Sequence, residues 1–210
     1  MLITTFPVGP LQCNCSVIAC PETKEAIIVD PGGDADKIME FVKANNLTVK
    51  YLIHTHAHFD HILATGDIKN ATGAKICLHE KDKFLYDNLQ GQGMLFGFKA
   101  KKPTAIDHYL SDEEIIEIGK VKTKVLHTPG HTPGSLCFTV ADKESTVFAG
   151  DTLFNGSIGR TDLPGGSFDT IIKSIKNRLF ALDDSTEVVP GHGDSTNIWR
   201  EKKYNPFVNG

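Results

Sequence analysis

Short apolar runs bounded by turn residues dominate the first third of this chain. Residues 2–6 and 15–20 read as β-strands, and Ala26-Ile-Ile-Val29 is the unbroken apolar run of a buried strand. That run stops at Asp30-Pro-Gly-Gly33, a strong turn signal. Residues 35–45 place Ile38, Met39, Phe41 and Val42 at helical spacing, and 49–53 predict a further strand leading into a His-rich segment at 54–61. A helix is predicted from Ile62, then a strand over 75–78 and a helix starting near Glu80. From 88 to 104 the periodicity fails, as Gly91, Gly93 and Gly97 alternate with Met94, Leu95, Phe96 and Phe98. Such a stretch is either a mobile flap near a site or a surface excursion packed by its own apolar residues; the flap is the preferred reading. The second half repeats the style of the first. Residues 114–118, 122–126, 135–140 and 146–148 read as strands, and 168–182 as an amphipathic helix with Ile171, Ile172, Ile175, Leu179 and Leu182 on one face. A last strand over 187–189 runs into Pro190-Gly-His192. Two strand-rich halves with interspersed helices predict an α/β protein with two sheets face to face and helices outside. No linker or low-complexity tract separates the halves, so 1–210 is read as a single domain.

Composition narrows the picture by exclusion. The chain has 210 residues, 40% hydrophobic and 23% charged, with a formal net charge of −4, so neither a nucleic-acid partner nor a disordered chain is expected. Lys99-Ala-Lys-Lys102 reads as a solvated loop; a minor part in holding an anionic substrate is the sharper alternative. Five cysteines, an odd number without disulfide-rich spacing, suggest reduced thiols in the cytoplasm. Cys77 and Cys137 sit in apolar runs as small core residues. Cys13-x-Cys15 lacks a second half and is read the same way rather than as a redox or metal pair. The N-terminal residues show no signal-peptide pattern, and no apolar run approaches the roughly 20 residues of a membrane span.

The chemistry concentrates in His54-Thr-His-Ala-His-Phe-Asp-His61, directly after an apolar strand. Within it, His56-x-His58-x-Asp60-His61 packs three imidazoles and a carboxylate into six residues. These are ligands that zinc and iron accept, and burying them together without a cation would be costly. Three further candidates stand at strand ends: His131 in His127-Thr-Pro-Gly-His-Thr-Pro-Gly134, Asp151 in Phe148-Ala-Gly-Asp-Thr152, and His192 in Pro190-Gly-His-Gly193. Each adjoins glycine or proline, which permit tight turns and close backbone approach. Any one alone is weak; three in succession after the cluster form a coherent set.

The order His56-x-His58-x-Asp60-His61, His131, Asp151, His192 resembles the metallo-β-lactamase superfamily. Thr128-Pro-Gly-His-Thr-Pro-Gly134, Gly150-Asp-Thr-Leu-Phe154, Gly159-Arg-Thr-Asp162 and Pro190-Gly-His192 resemble its glyoxalase II-like group of thioester hydrolases. The resemblance implies a four-layer αββα sandwich of two mixed β-sheets. It implies two divalent metals, zinc before iron or manganese, with His56, His58 and His131 on one, Asp60, His61 and His192 on the other, and Asp151 bridging. The implied chemistry is attack of a metal-bridging hydroxide on a thioester such as S-lactoylglutathione, with Asp60 and Asp151 as the catalytic carboxylates. Only 18 residues follow His192, so the C-terminal helical domain with which glyoxalase II grips glutathione is not expected. The chain is therefore similar to the small, single-domain members.

Several residues receive auxiliary readings. Asp30, at a strand end, is expected to orient a ligand imidazole through its second nitrogen. Arg160 either binds a substrate carboxylate bidentately or pairs with Asp162 to hold its loop. His54 is a strand-end residue, His127 structural, and Asn205-Pro-Phe207 packs the tail. The partner is a small-molecule thioester; oligomeric state is not legible. The competing activities are a mononuclear-iron persulfide dioxygenase, a branch that also resembles Gly159-Arg-Thr-Asp162, and a lactonase. A β-lactamase is disfavoured by the absent export signal, and a non-catalytic binding protein by the intact set of seven ligands.

Overall fold

The computed structural model describes residues 1–140 and 146–209, and the chain falls into two compact units: 1–110 with 117–121, and 111–116 with 122–209. The first unit opens with β1 (Leu2–Val8), β2 (Cys13–Ala19) and β3 (Glu25–Val29). It continues with α1 (Ala35–Ala44), β4 (Thr48–Ile53), α2 (Phe59–Ile62), α3 (Thr65–Thr72) and β5 (Lys75–Leu78). A single 3-10 turn at Glu80–Asp82 then leads into α4 (Lys83–Asp87), α5 (Leu89–Leu95) and β6 (His108–Tyr109). These six strands form one sheet in sequence order, antiparallel through β1-β2-β3 and parallel through β3-β4-β5-β6. The apolar run of β3 is buried from Ala26 to Val29, as expected for an inner strand covered on both faces. Ile38 and Val42 of α1 and Ile68 of α3 join Val17, Ile28, Leu52 and Ile76 in its core.

The rest of the chain supplies β7 (Ile115–Ile118), β8 (Val121–His127), β9 (Leu136–Val140), β10 (Thr146–Gly150), β11 (Leu153–Phe154) and β12 (Ser157–Ile158). They are followed by α6 (Phe168–Ser174), β13 (Glu187–Pro190), β14 (Thr196–Asn197), α7 (Ile198–Tyr204) and α8 (Pro206–Asn209). A second six-stranded sheet has the order β14-β13-β10-β9-β8-β7, mixed because β10 and β13 run parallel while β8-β9, β9-β10 and β13-β14 are antiparallel. β11 and β12 form a small hairpin of their own. Ile171, Ile175 and Leu179 bury against Val147, Ala149 and Val188.

Three expectations need correction. The stretch 88–104 is not irregular throughout, because α5 occupies Leu89–Leu95 in spite of Gly91 and Gly93. Gly93 is buried where a side chain would strike the Phe98 carbonyl at 2.8 Å, so packing there requires glycine although helix propensity disfavours it. The helix from 168 changes character at Ile175–Leu179, where a π-helical turn follows α6. Finally, no helix starts at Ile62: α2 ends there and already contains Asp60 and His61, and α3 follows from Thr65.

Candidate metal centre

Both units carry their polar residues at the carboxyl ends of parallel strands, where an open α/β sheet leaves a crevice for ligands. In the first unit, Val29 of β3 lies opposite Ile53 of β4, so the residues just beyond them, Asp30 and the 54–61 segment, emerge side by side. In the second, Gly150 of β10 lies opposite Pro190 of β13, and Gly191 N–H donates to Gly150 O at 2.8 Å. Asp151 and His192 consequently leave adjacent strand ends together.

The first unit brings His56, His58, Asp60 and His61 together. The His56 ring centroid lies 4.7 Å from that of His58 and 4.0 Å from that of His61. Asp30 lies at the centre of a hydrogen-bond network beside this group. Its carboxylate accepts from Thr55 N–H at 2.7 Å, from Thr55 Oγ1–H at 2.6 Å and from His61 Nδ1–H at 3.0 Å. The Thr55 hydroxyl proton is thus spent on Asp30, and its oxygen accepts from His56 Nδ1 at 3.1 Å. One buried carboxylate therefore orients two imidazoles, one directly and one through Thr55, and turns both Nε2 atoms the other way. His61 Nε2 faces Asp60 Oδ2 at 3.7 Å. Cys13 Sγ also lies 3.5 Å from His61 Nδ1 and donates to the Asp30 carbonyl at 3.8 Å; Cys13, Asp30 and His61 are close enough to hold an ion, but these hydrogen bonds already account for the trio.

The second unit brings His131, Asp151 and His192 together on the same principle. The turn before His131 is tied to α6, since Ser174 Oγ–H donates to Pro129 O at 2.7 Å and Ser167 N–H to Gly130 O at 2.8 Å. His131 Nδ1–H donates to the Arg160 carbonyl at 2.8 Å, again fixing the tautomer, and its Nε2 faces Asp151 Oδ2 at 3.6 Å. The other Asp151 oxygen, Oδ1, faces His192 Nε2 at 3.9 Å. His131 is buried, whereas Asp151 and His192 are partly open to solvent.

Two glycines allow these backbones to meet. A side chain at Gly32 would come within 1.9 Å of the Asp60 carbonyl, and one at Gly159 within 1.8 Å of the Asp151 carbonyl. In each unit, then, a glycine lies flat against the main chain of a candidate carboxylate ligand. The arrangement fits divalent metal ions: imidazoles with Nδ1 engaged and Nε2 directed at carboxylates are the nitrogen and oxygen donor set that zinc and iron take.

Other singled-out residues have plain surroundings. The Arg160 guanidinium grips Asp162 with two hydrogen bonds of 2.8 Å, both side chains being exposed, and this holds the Asp162 carboxyl down at about 2. Its side chain is thereby engaged within the chain, while its carbonyl serves His131. His54 is fully buried beyond β4, with Nε2 3.4 Å from Thr65 Oγ1, and burial pulls its pKa down to about 4, so it stays neutral. His127 Nε2 bonds the Pro133 carbonyl at 3.0 Å. All five cysteines are free and buried, and among the described residues no helix is long and apolar enough to cross a membrane. The sequence does not single out Thr55, whose only signal is its place between His54 and His56.

The metallo-beta-lactamase superfamily description matches residues 8–192. This chain belongs to that superfamily. Its two large mixed sheets with helices are the fold of its structural neighbours, among them the BLEG-1 B3 metallo-beta-lactamase, at 38% identity and a TM-score of 0.92 with 100% of both chains covered. The structure of TTHA1623 in a di-iron-bound form matches with a TM-score of 0.86 and 33% identity, over 97% of this chain and 99% of that one. The hydroxyacylglutathione hydrolase GloC of Haemophilus influenzae is 40% identical over 100% of this chain and 99% of its own length. A metallo-hydrolase is the general class these relatives support.

Proposed function

We propose that this superfamily member hydrolyses thioesters, hydroxyacyl thioesters of the S-lactoylglutathione kind first among them, with two divalent metal ions as cofactors. The observation that carries the two-metal reading is Asp151, whose Oδ2 faces His131 and whose Oδ1 faces His192. A carboxylate presenting one oxygen to each of two histidines is suited to bridge. In this reading His56, His58 and His131 would hold one ion, Asp60, His61 and His192 the other, and Asp151 would serve both. Zinc and iron both suit the donor set, and the di-iron form of TTHA1623 supports the count of two. Two ions held by these residues would supply an activated water near neutral pH and a Lewis acid for a carbonyl oxygen.

The chain's own residues set up that chemistry. Asp30, Thr55 and the Arg160 carbonyl fix three imidazole tautomers before any ion arrives, so little reorganisation remains. Asp60 is proposed to take up a proton transiently on the carboxylate oxygen turned away from His61, Oδ2 being the one that faces the His61 Nε2. No strong general acid is required, because a thiol ionising near 8.5 is already a good leaving group. That property and the 40% identical GloC support a thioester over an amide. Arg160 would meet a substrate carboxylate only by exchanging it for Asp162.

A second reading, β-lactam hydrolysis, is favoured by one observation, the full-length likeness to BLEG-1. One experiment separates these readings: metal content of protein purified without added metal, with thiol release from S-lactoylglutathione and turnover of a chromogenic cephalosporin followed in parallel. Two metals per chain with thiol release are expected. A single iron with oxygen uptake on a persulfide would overturn the proposal, and cephalosporin turnover without thiol release would replace its substrate class.

A further inference from the structure

The ring nitrogens of His56, His61 and His131 are held by Thr55, Asp30 and the Arg160 carbonyl. His58 is fastened through its backbone as well. It precedes α2 in an extended conformation, φ −70° and ψ 148°, and its side chain makes no capping hydrogen bond. The first amide of a helix has no acceptor within the helix. Here Gln92, on α5, provides one: Phe59 N–H donates to Gln92 Oε1 at 3.2 Å. The same side chain's Nε2 donates to the Ala57 carbonyl at 3.0 Å and to the Leu85 carbonyl at 2.7 Å. Ala57 C=O and Phe59 N–H belong to the two peptide planes that meet at the His58 Cα. Holding both fixes the backbone dihedrals of His58 and with them the direction of its Cα–Cβ bond. A primary amide suits the task, its oxygen accepting from one plane while its two N–H groups serve the Ala57 and Leu85 carbonyls. The bond to Leu85 anchors the amide to α4. Phe59 adds a second fastening, its ring stacked on Phe96 at 5.0 Å and Phe98 at 5.7 Å between centroids.

We propose that Gln92 is a positioning residue for the metal centre, a clamp on the backbone of His58 that presets this ligand from α5. The proposal rests on the metal-hydrolase reading for its consequence and on the hydrogen bonds alone for the clamp, so the two can fail separately. The test compares wild type, Gln92→Met, which keeps length and removes all three hydrogen bonds, and Gln90→Met, an exposed neighbour on the same helix. Zinc affinity is measured by competition with a chromogenic chelator, and backbone amide exchange at Ala57 and Phe59 is measured on metal-free protein. Loss of an outer contact to a metal site typically weakens binding 10- to 100-fold. That loss is expected for Gln92→Met, with faster exchange at Phe59, while Gln90→Met matches wild type. Unchanged zinc affinity in a folded Gln92→Met protein would overturn the proposal. Were that variant not to fold, the wild type decides: a Phe59 amide exchanging as fast as an unprotected one would refute the clamp, and a protected one would uphold it. A wild type that binds no zinc would sink the metal reading instead.

Discussion

At the scale of single residues the site depends as much on what is missing as on what is present. Gly32 and Gly159 carry no chemistry, yet each lets the main chain of a ligand carboxylate pass where a methyl group would overlap it, at 1.9 Å from the Asp60 carbonyl and 1.8 Å from that of Asp151. The obstacle is backbone, so no flexible side chain can yield. Gly32→Ala and Gly159→Ala are therefore each expected to cost about 3 kcal/mol, the upper part of the overpacking range. For a domain of this size that lowers the melting temperature by roughly 6–12 °C. Zinc affinity should also fall at least about tenfold as the ligand loop shifts. Thermal melts and zinc titrations of the two variants check this; near-wild-type melting with full affinity would show that the loops can relax. The sequence shows both glycines inside turn words, Asp30-Pro-Gly32 and Gly159-Arg-Thr-Asp162, but a turn glycine and a close-approach glycine look alike until the opposing backbone is known.

Among elements, the C-terminal helices do more than close the chain. Glu201 of α7 is fully buried, and its carboxylate accepts from Gly156 N–H at 3.0 Å, Thr196 Oγ1–H at 2.6 Å and Asn205 Nδ2–H at 2.8 Å. Asn205 donates in turn to the Ser157 carbonyl at 3.0 Å. The tail thereby locks the β11–β12 hairpin, which leads directly to Gly159 and the Arg160 carbonyl that orients His131. Glu201→Leu strands three donors, two of them on the buried Thr196 and Asn205, and is expected to cost about 3 kcal/mol or more, while Glu201→Gln, which keeps one acceptor, costs about 1 kcal/mol. Urea unfolding midpoints measure both, and a Leu variant as stable as wild type would deny the tail this role. The sequence offered only the packing of the tail by Asn205-Pro-Phe207; the buried Glu201 at its centre carried no signal. The long periodic elements, α1, β3, β4 and β10, were readable because each buries a continuous face that the pattern must encode. The short ones, β6, β11, β12, β14, α7 and α8, owe their form to tertiary partners such as Glu201, and α5 runs through two glycines that local propensity counts against it.

Across the whole molecule, the candidate ligands stood out in the sequence because metal binding calls for particular residue types, and five of the seven, all but Asp60 and His61 of α2, lie outside helices. Their holders, Thr55, Gln92 and the Arg160 carbonyl, did not stand out, since a hydroxyl, an amide or a backbone group in the right place leaves no compositional trace. The division has an energetic consequence. Asp30 and its partners stay hydrogen-bonded within the protein whether or not ions are bound, whereas imidazole Nε2 atoms and carboxylate oxygens 3.6–3.9 Å apart are too distant for good hydrogen bonds and gain most when a cation joins them. Metal removal should therefore lower stability without unfolding the chain, unlike a small zinc finger that folds only with its metal. Native-state binding adds RT ln(1 + [L]/Kd), about 2.7 kcal/mol per site at a hundredfold excess over Kd and about 5.4 kcal/mol for two sites. With about 2–4 °C per kcal/mol, chelation is expected to drop the melting temperature by roughly 11–22 °C and to leave the far-ultraviolet circular dichroism intact. Adding back two equivalents of zinc should restore the melt, and one equivalent should restore only part of it. A melt indifferent to chelator would mean that the seven ligands hold no ion in the resting protein, and loss of secondary structure would mean that the cores of the two units depend on the metal after all.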